Sequence, residues 1–267
     1  MKKYFLLVFI FSCSLIWAQS FTDPEPYGGK KGLKDLVEQE VIYPQEAYKL
    51  EVNGDVVLNF VVYSTGQCSE PVIFKSSNND LLDQEAIRLF KLISWIPGQY
   101  GNERVDMDER FMVKFNTYKY DKLCRKRGYK YLNYSVDRIS SDPIIFTEEE
   151  LDTLAFPHTG HKDLDLEKYL GLNVHYPEEA KRYNIEGQTA ISFVIEPHGG
   201  LTNIHIEKNL GGGCPQEVIR ALNQLEWTPA IKNGRAVRSR QFISLRFSLN
   251  GIQGFEFLPS NQSGVMF

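Results

Sequence analysis

An internal repeat constrains this sequence more than any other feature, because it sets how many units the chain contains. Tyr43-Pro44 recurs as Tyr176-Pro177. At the same spacing, further matches pair Ala47 with Ala180, Gly54 with Gly187, Phe60 with Phe193, and Gly66 with Gly199. At a spacing shorter by one position, Trp95-Ile96-Pro97 recurs as Trp227-Thr228-Pro229, and Phe115 as Phe247. Because Gly and Pro make specific backbone demands, these matches indicate two copies of one domain.

Each copy contains the same order of predicted elements. Pro44 and Pro177 suit the first position of a short helix, where a missing N–H is harmless. Alternating apolar residues after Gly54 and Gly187 predict a strand, which a glycine turn joins to a second strand at residues 72–75 or 201–208. An amphipathic helix and a third strand complete the unit. The predicted buried face of that strand comprises Phe111, Val113 and Phe115, or Ile243, Leu245 and Phe247.

These elements predict an α+β protein of two tandem two-layer domains, each a three-stranded antiparallel sheet with two helices. The predicted boundaries are 33–115 for the first domain, 116–165 for a linker, 166–249 for the second domain and 250–267 for a tail. Each domain has roughly 80 residues, which is enough to fold alone. We therefore expect two separately folding units.

Residues 1–18 have the order of a secretory signal peptide. Lys2 and Lys3 are followed by an apolar run over residues 4–17 and by Ala18, a small residue suited to cleavage. The run is shorter than the ~20 residues that a membrane-spanning helix needs. We expect export to the periplasm, with a mature chain that begins at or near Gln19. A lipoprotein anchored through Cys13 is the alternative.

Composition and motifs favour no enzyme chemistry. The net charge of −4 and the pI of about 5.8 argue against a nucleic-acid partner. Tyrosines alternate with Lys and Arg in residues 118–134, which favours packing on a neighbouring domain over stacking on nucleic acid or sugar. His158 and His161 lack a zinc-site pattern, and the glycines at 211–213 lack the Lys-Ser/Thr of a phosphate loop. We expect no catalytic residues, no metal and no cofactor.

Cysteine count allows little covalent cross-linking. Removal of the signal leaves Cys68, Cys124 and Cys214, which form no CxxC pair. One intramolecular disulfide is the most that three thiols can form, and ordinary unpaired cysteines are the simpler interpretation.

The repeated motifs resemble the C-terminal domain of TonB-type energy transducers. The second copy carries the resemblance most clearly and the first is more divergent. The matching residues are Tyr176-Pro177-Glu178-Glu179-Ala180, Gly187-Gln188, Gly199-Gly200, Trp227-Thr228-Pro229-Ala230, Gly234 and Ile243-Ser244-Leu245-Arg246-Phe247.

The resemblance implies a periplasmic domain that binds an extended peptide, the TonB box of an outer-membrane receptor, along its third strand. This mode is strand addition, in which main-chain hydrogen bonds give affinity. The peptide-binding residues that it implies are Val174, His175, Tyr176, Pro177, Arg238, Arg240, Phe242, Ser244 and Arg246. Helix initiation and packing are the alternative roles for Tyr176 and Pro177.

Two departures from the transducer pattern favour an adaptor that serves transport across the envelope. The signal is predicted to be removable, and few residues separate Gln19 from the first helical pattern, so we expect no long spacer. A true energy transducer and a cell-wall-binding or structural module remain alternatives. The predicted partner is a receptor peptide or another envelope protein, and self-association through strand edges stays open.

The two copies differ in charge just before the third strand. The first has Asp106, Asp108 and Glu109, whereas the second has Arg235, Arg238 and Arg240. If these residues flank a peptide groove, opposite charges favour different ligands. We therefore expect the second copy to prefer acidic peptides.

Overall fold

Each copy of the repeat forms its own set of strands and helices in the structure, a computed structural model. It describes residues 20–127, 142–160, 164–249 and 251–257. The predicted signal peptide lies outside the described residues, as does His161.

The first copy begins with two short strands and two helices. In chain order its elements are β1 (Phe21–Thr22), β2 (Glu25–Pro26), α1 (Gly29–Glu40), α2 (Gln45–Lys49), β3 (Gly54–Val62), β4 (Val72–Lys75), α3 (Asp80–Lys91), β5 (Trp95–Ile96), β6 (Gly98–Tyr100), β7 (Glu103–Val105), β8 (Met107–Phe115) and α4 (Thr117–Arg127).

Between the copies lie β9 (Ile145–Phe146), a 3-10 turn (Glu148–Glu150) and β10 (Phe156–His158). The second copy continues with α5 (Leu166–Asn173), α6 (Glu178–Arg182), β11 (Gly187–Ile195), β12 (Leu201–Lys208), α7 (Cys214–Leu222), β13 (Glu226–Thr228), β14 (Ala230–Lys232), β15 (Arg235–Ser248) and β16 (Gly251–Phe257).

The main sheets share one topology, in which the repeated strands pair antiparallel. In the first copy the order is β4-β3-β8, and in the second β12-β11-β15. Phe115 lies opposite Gly54 in the first sheet, and Phe247 lies opposite Gly187 in the second. The predicted α+β class and the two tandem domains are therefore confirmed.

The second sheet extends beyond the predicted three strands. β14 and β16 pair antiparallel with β15, and β9 pairs parallel with it, which gives six strands among the described residues. Each copy also has a helix, α1 or α5, before the Tyr-Pro motif, in addition to the two helices of the predicted unit. Pro177 lies at the N-cap of α6, one residue before the predicted position, and Pro44 does the same for α2.

A separate hydrophobic core lies between the sheet and the helices of each copy. The repeated Phe and Trp meet in both cores: the ring centroids of Phe60 and Trp95 are 5.0 Å apart, and those of Phe193 and Trp227 are 5.4 Å apart. The core packing therefore repeats with the sequence.

The repeated turn glycine is required for two reasons. Gly66 and Gly199 have φ of 84° and 86°, which L side chains rarely adopt. A Cβ at Gly199 would also lie 2.4 Å from the carbonyl oxygen of Trp227, and one at Gly66 would lie 3.2 Å from that of Trp95. The hairpin turn thus packs against the Trp that follows α7 or α3 in its copy.

Candidate functional site

The nine residues predicted to bind a peptide lie in two places in the second copy. Val174 to Pro177 form the turn between α5 and α6. The other five residues lie on β15. The environments of the two groups differ sharply.

Glu217 holds the turn before α6 in place through hydrogen bonds. This carboxylate accepts hydrogen bonds from the backbone N–H of His175 (2.9 Å) and from Nε of Arg220 (2.9 Å). Arg220 first, and then the His175 N–H, lower the pKa of Glu217 to about 2. Val174 is buried, whereas the His175 imidazole is 78% exposed. Among residues 174–177, His175 is therefore the exposed one.

The first copy has the same arrangement, with Ile42 in place of His175. The N–H of Ile42 donates to Glu85 at 2.8 Å, and Arg88 Nε donates to Glu85 at 2.8 Å. Sequence reasoning missed this Glu-x-x-Arg pattern, although the two motifs have the same spacing as the repeated Trp residues. The same backbone hydrogen bond forms at Ile42 and at His175, although the two side chains differ. We therefore assign this contact a structural role.

Tyr176 is also held by a contact that both copies share. Its hydroxyl donates to the carbonyl of Ile185 at 2.6 Å, and its ring meets Phe247 edge-on at 5.7 Å. Tyr43 makes the equivalent bond to Val52, and burial raises the pKa of Tyr43 to about 12. These contacts support the packing role for the Tyr-Pro motif.

Arg238 is buried at the junction between the two copies, so its charge is not presented to solvent. It is 2% exposed and forms a two-point ion pair with Glu196 at 2.8 and 2.9 Å. It also donates to the carbonyls of Leu92 (2.9 Å) and Pro143 (2.7 Å). Leu92 caps the C-terminus of α3, where a cation satisfies unpaired carbonyls and opposes the helix dipole. The second copy thereby caps a helix of the first.

Further contacts complete this junction. Asn203, with a left-handed φ of 48°, accepts from the Ser94 N–H (2.8 Å) and donates to the Leu92 carbonyl (3.0 Å). Arg240 donates to Ser94 Oγ at 3.1 Å, and its guanidinium lies 5.1 Å from the ring centroid of Tyr27. His198 Nε2 lies 2.7 Å from Glu40 Oε1. Arg240 is therefore engaged within the chain.

The remaining β15 residues divide by burial. Phe242 and Ser244 are buried, and Ser244 accepts a hydrogen bond from Gln188. Arg246 is exposed. The outward face predicted from Phe242, Ser244 and Arg246 is therefore exposed only at Arg246, because the strand is covered on both sides along most of its length, and a role of these residues in peptide binding stays a prediction.

The strand edges of the two copies also differ. β15 pairs with β11 along one edge, and with β14, β9 and β16 in succession along the other. β8, its counterpart, pairs with β3 along one edge, and no strand within the described residues pairs with the other. Within the described residues, the third strand with an unpaired edge is therefore that of the first copy.

A groove of about 620 Å³ runs beside this open edge. Four consecutive β8 residues, 112–115, line it, so it follows the main chain of the strand and not one face. Its other walls come from α1 and α4. No motif in the sequence pointed to it, because the first copy is the more divergent one.

In the described part of the chain, no group of three or more His, Cys, Asp and Glu side chains could hold a metal ion. Cys68, Cys124 and Cys214 are not joined by disulfides. None of the helices in the described ranges is both long and apolar enough to span a membrane.

Comparison with known proteins assigns the family. The model of the Gram-negative bacterial TonB protein C-terminal domain matches residues 39–117 and 173–249, more than half of the chain. The NMR solution structure of Helicobacter pylori TonB-CTD matches at 16% identity, covering 32% of this chain and 78% of that chain, with a TM-score of 0.26. No curated protein matches. On the match of both repeats, this chain belongs to the TonB C-terminal domain family.

Proposed function

We propose that this protein is an envelope adaptor that binds an extended peptide by strand addition, and that it is not an enzyme. The observation that carries the proposal is the edge of β8, unpaired within the described residues, beside a groove lined by four consecutive residues of the strand. An unpaired edge presents N–H and C=O groups to any segment that can lie alongside it. The partner that the family suggests is a TonB-box-like segment of an outer-membrane receptor.

The second copy supplies an internal example of such binding. Its C-terminal segment β16 pairs antiparallel with β15, the strand equivalent to β8. Ile252 and Phe255 of this segment pack against the hydrophobic core of the second copy. The fold thus accepts an added strand at this edge, and in the first copy that strand would come from a partner.

Export to the periplasm is part of the proposal and rests on residues 1–18 of the sequence. Mass spectrometry of the chain purified from an envelope fraction is the check. We expect the N-terminus at or near Gln19. An intact Met1 would instead favour a membrane-anchored transducer, and a lipidated Cys13 would favour a lipoprotein.

The test of strand addition uses a synthetic peptide with the sequence of β16, GIQGFEF, and a copy of it with N-methyl groups on alternate residues. N-methylation removes main-chain donors and leaves the side chains unchanged. We expect the unmodified peptide to bind the chain from Gln19 onward, and the methylated peptide to bind at least about tenfold more weakly, since several main-chain hydrogen bonds are lost. Equal binding of both peptides would contradict strand addition.

A further inference from the structure

The chain that follows the third strand takes different paths in the two copies, and this decides which edge is free. In the second copy Gly251, with φ of 116°, begins β16, which turns back along β15 and contacts α5. In the first copy Asn116 accepts a hydrogen bond from the Lys119 N–H at 3.0 Å, and the chain continues as α4. The chain after the third strand is therefore a helix in the first copy and a strand in the second.

Helix α4 packs on the same core, but within the described residues no strand pairs with the outer edge of β8. Tyr120 and Cys124 of α4 are buried in the core of the first copy. The groove between α4, α1 and the β8 edge keeps an apolar lining, to which Val37, Val41 and Leu123 contribute. In the second copy, β16 packs on the core at the equivalent edge. The groove of the first copy is therefore the place where a strand is missing.

The charge on this groove is positive. Lys114 projects from β8, and Lys119 and Lys122 from α4; all three line the groove and are exposed. The acidic residue among the lining residues is Glu38, which lies 3.7 Å from Lys34 Nζ. Cations around an apolar cleft favour a partner that carries carboxylates beside apolar side chains.

We propose that the β8 groove of the first copy binds an acidic extended segment, which adds to the sheet antiparallel to β8. The inference rests on the proposed function and specifies its ligand. By the register of β16 on β15, the segment would pair with the second half of β8, and its apolar side chains would enter between α1 and α4. Its carboxylates would lie near Lys114, Lys119 and Lys122.

This assignment reverses the charge preference expected from the sequence alone. The arginines that suggested an acidic ligand for the second copy, Arg238 and Arg240, are engaged at the junction between the copies. The acidic residues of the first copy, Asp106 and Asp108, precede the half of β8 that lines the groove. The basic site is therefore in the first copy.

The experiment compares two fluorescent peptides, EGIQGFEFE and KGIQGFKFK, by anisotropy on the chain from Gln19 to Phe267. Their backbones are alike and their charges opposite. We expect the acidic peptide to bind about tenfold more tightly at low salt, a difference of ~1.4 kcal/mol. The difference should shrink near 1 M salt, where the Debye length is about 3 Å.

Charge reversal at two exposed groove lysines locates the site. The variant Lys119→Glu/Lys122→Glu should lose the preference for the acidic peptide. The matched control is Lys30→Glu/Lys49→Glu, which changes net charge equally at exposed lysines outside the groove. The control should keep the preference.

The outcomes separate this inference from the proposed function. If both peptides bind equally, or if the control loses the preference as the groove variant does, the acidic groove is contradicted while strand addition stands. If neither peptide binds, both proposals are contradicted. A concentration-dependent dimer, abolished by Lys119→Glu/Lys122→Glu, would assign the groove to a second copy of the chain and overturn the acidic partner.

Discussion

At the scale of single residues, two arginines of one strand show how position decides role. Arg238 and Arg246 both lie on β15 at an even spacing, so their side chains leave the same face of the sheet. Arg238 is buried against Glu196 and the end of α3, whereas Arg246 is exposed. The difference arises because the first copy covers only one end of this face.

The buried ion pair makes the first prediction. Arg238→Ala leaves the Glu196 carboxylate buried without its cation, and it also removes the donor to the Leu92 carbonyl. Breaking one partner of a buried pair typically costs about 3–5 kcal/mol. Urea unfolding should show a loss of that order, and Arg246→Ala should change stability by less than about 0.5 kcal/mol. Similar stabilities for the two variants would contradict the assigned role of Arg238.

Glu217 makes a prediction about pH. Its pKa is lowered from 4.5 to about 2 in the folded protein, first by Arg220 and then by the His175 N–H. A lowered folded-state pKa stabilises the protein fully above the unfolded value, and this stabilisation is lost as pH falls through the folded value. The stability difference between wild type and Glu217→Gln should therefore be constant near neutral pH and shrink as the pH falls from 4.5 towards 2.

The control for the pH series is Glu179→Gln, at an exposed position of α6. We expect it to leave stability nearly unchanged over the same pH range. A Glu217→Gln difference that does not depend on pH would contradict the role of the Glu217 charge.

At the scale of elements, the segment after the third strand distinguishes the two copies. In the second copy it is the strand β16, whose Ile252 and Phe255 pack on the core. In the first copy it is the helix α4. The chain itself thereby pairs with the edge of β15, whereas within the described residues no strand pairs with the corresponding edge of β8.

Truncation tests whether β16 covers the edge of β15. A chain that ends at Leu249 lacks β16, so it loses the apolar contacts of Ile252 and Phe255 and exposes the edge of β15. We expect lower stability and self-association, since exposed edges pair readily. Light scattering after size-exclusion chromatography measures the association. A chain that ends at Phe257 keeps β16 and should associate less than the chain that ends at Leu249; equal association of the two truncations would contradict the role of β16 in covering the edge of β15.

The repeat made the elements predictable, because the repeated Gly, Pro and Trp mark backbone conformations and core contacts that both copies need. The second strands at Val72–Lys75 and Leu201–Lys208 agree with the predicted bounds. Sequence could not show that Arg238 is buried, since Glu196 becomes its neighbour only when β11 pairs with β15, and Leu92 only when the copies dock. For the same reason the sequence could not show that Arg238 and Arg240 are engaged at the junction between the copies.

At the scale of the whole molecule, the two copies form a joined pair. Polar contacts from Arg238, Asn203 and His198 cross the junction and end on the first copy at residues 92, 94 and 40. Several of these groups are buried. We therefore expect the copies to unfold together, in contrast to the independent folding expected from the repeat alone.

Tryptophan fluorescence can follow each copy separately. In the chain from Gln19, Trp95→Phe leaves Trp227 as the probe of the second core, and Trp227→Phe leaves Trp95 for the first. Coincident urea transitions indicate one cooperative unit. We expect the urea transitions of the two single-Trp variants to coincide. When Arg238→Ala is added to each variant, we expect the two transitions to separate. Separate transitions with Arg238 intact would mean that the junction is too weak to couple the copies.

The most direct test of strand addition at β8 is amide hydrogen exchange on the chain from Gln19, with and without the peptide EGIQGFEFE. A strand added to the open edge would protect alternate amides in the second half of β8, and leave β15 and β16 unchanged. Protection along β15 between Phe242 and Ser248, together with faster exchange in β16, would show that the peptide displaces the chain's own strand. That result would contradict the central claim that the first copy holds the binding edge.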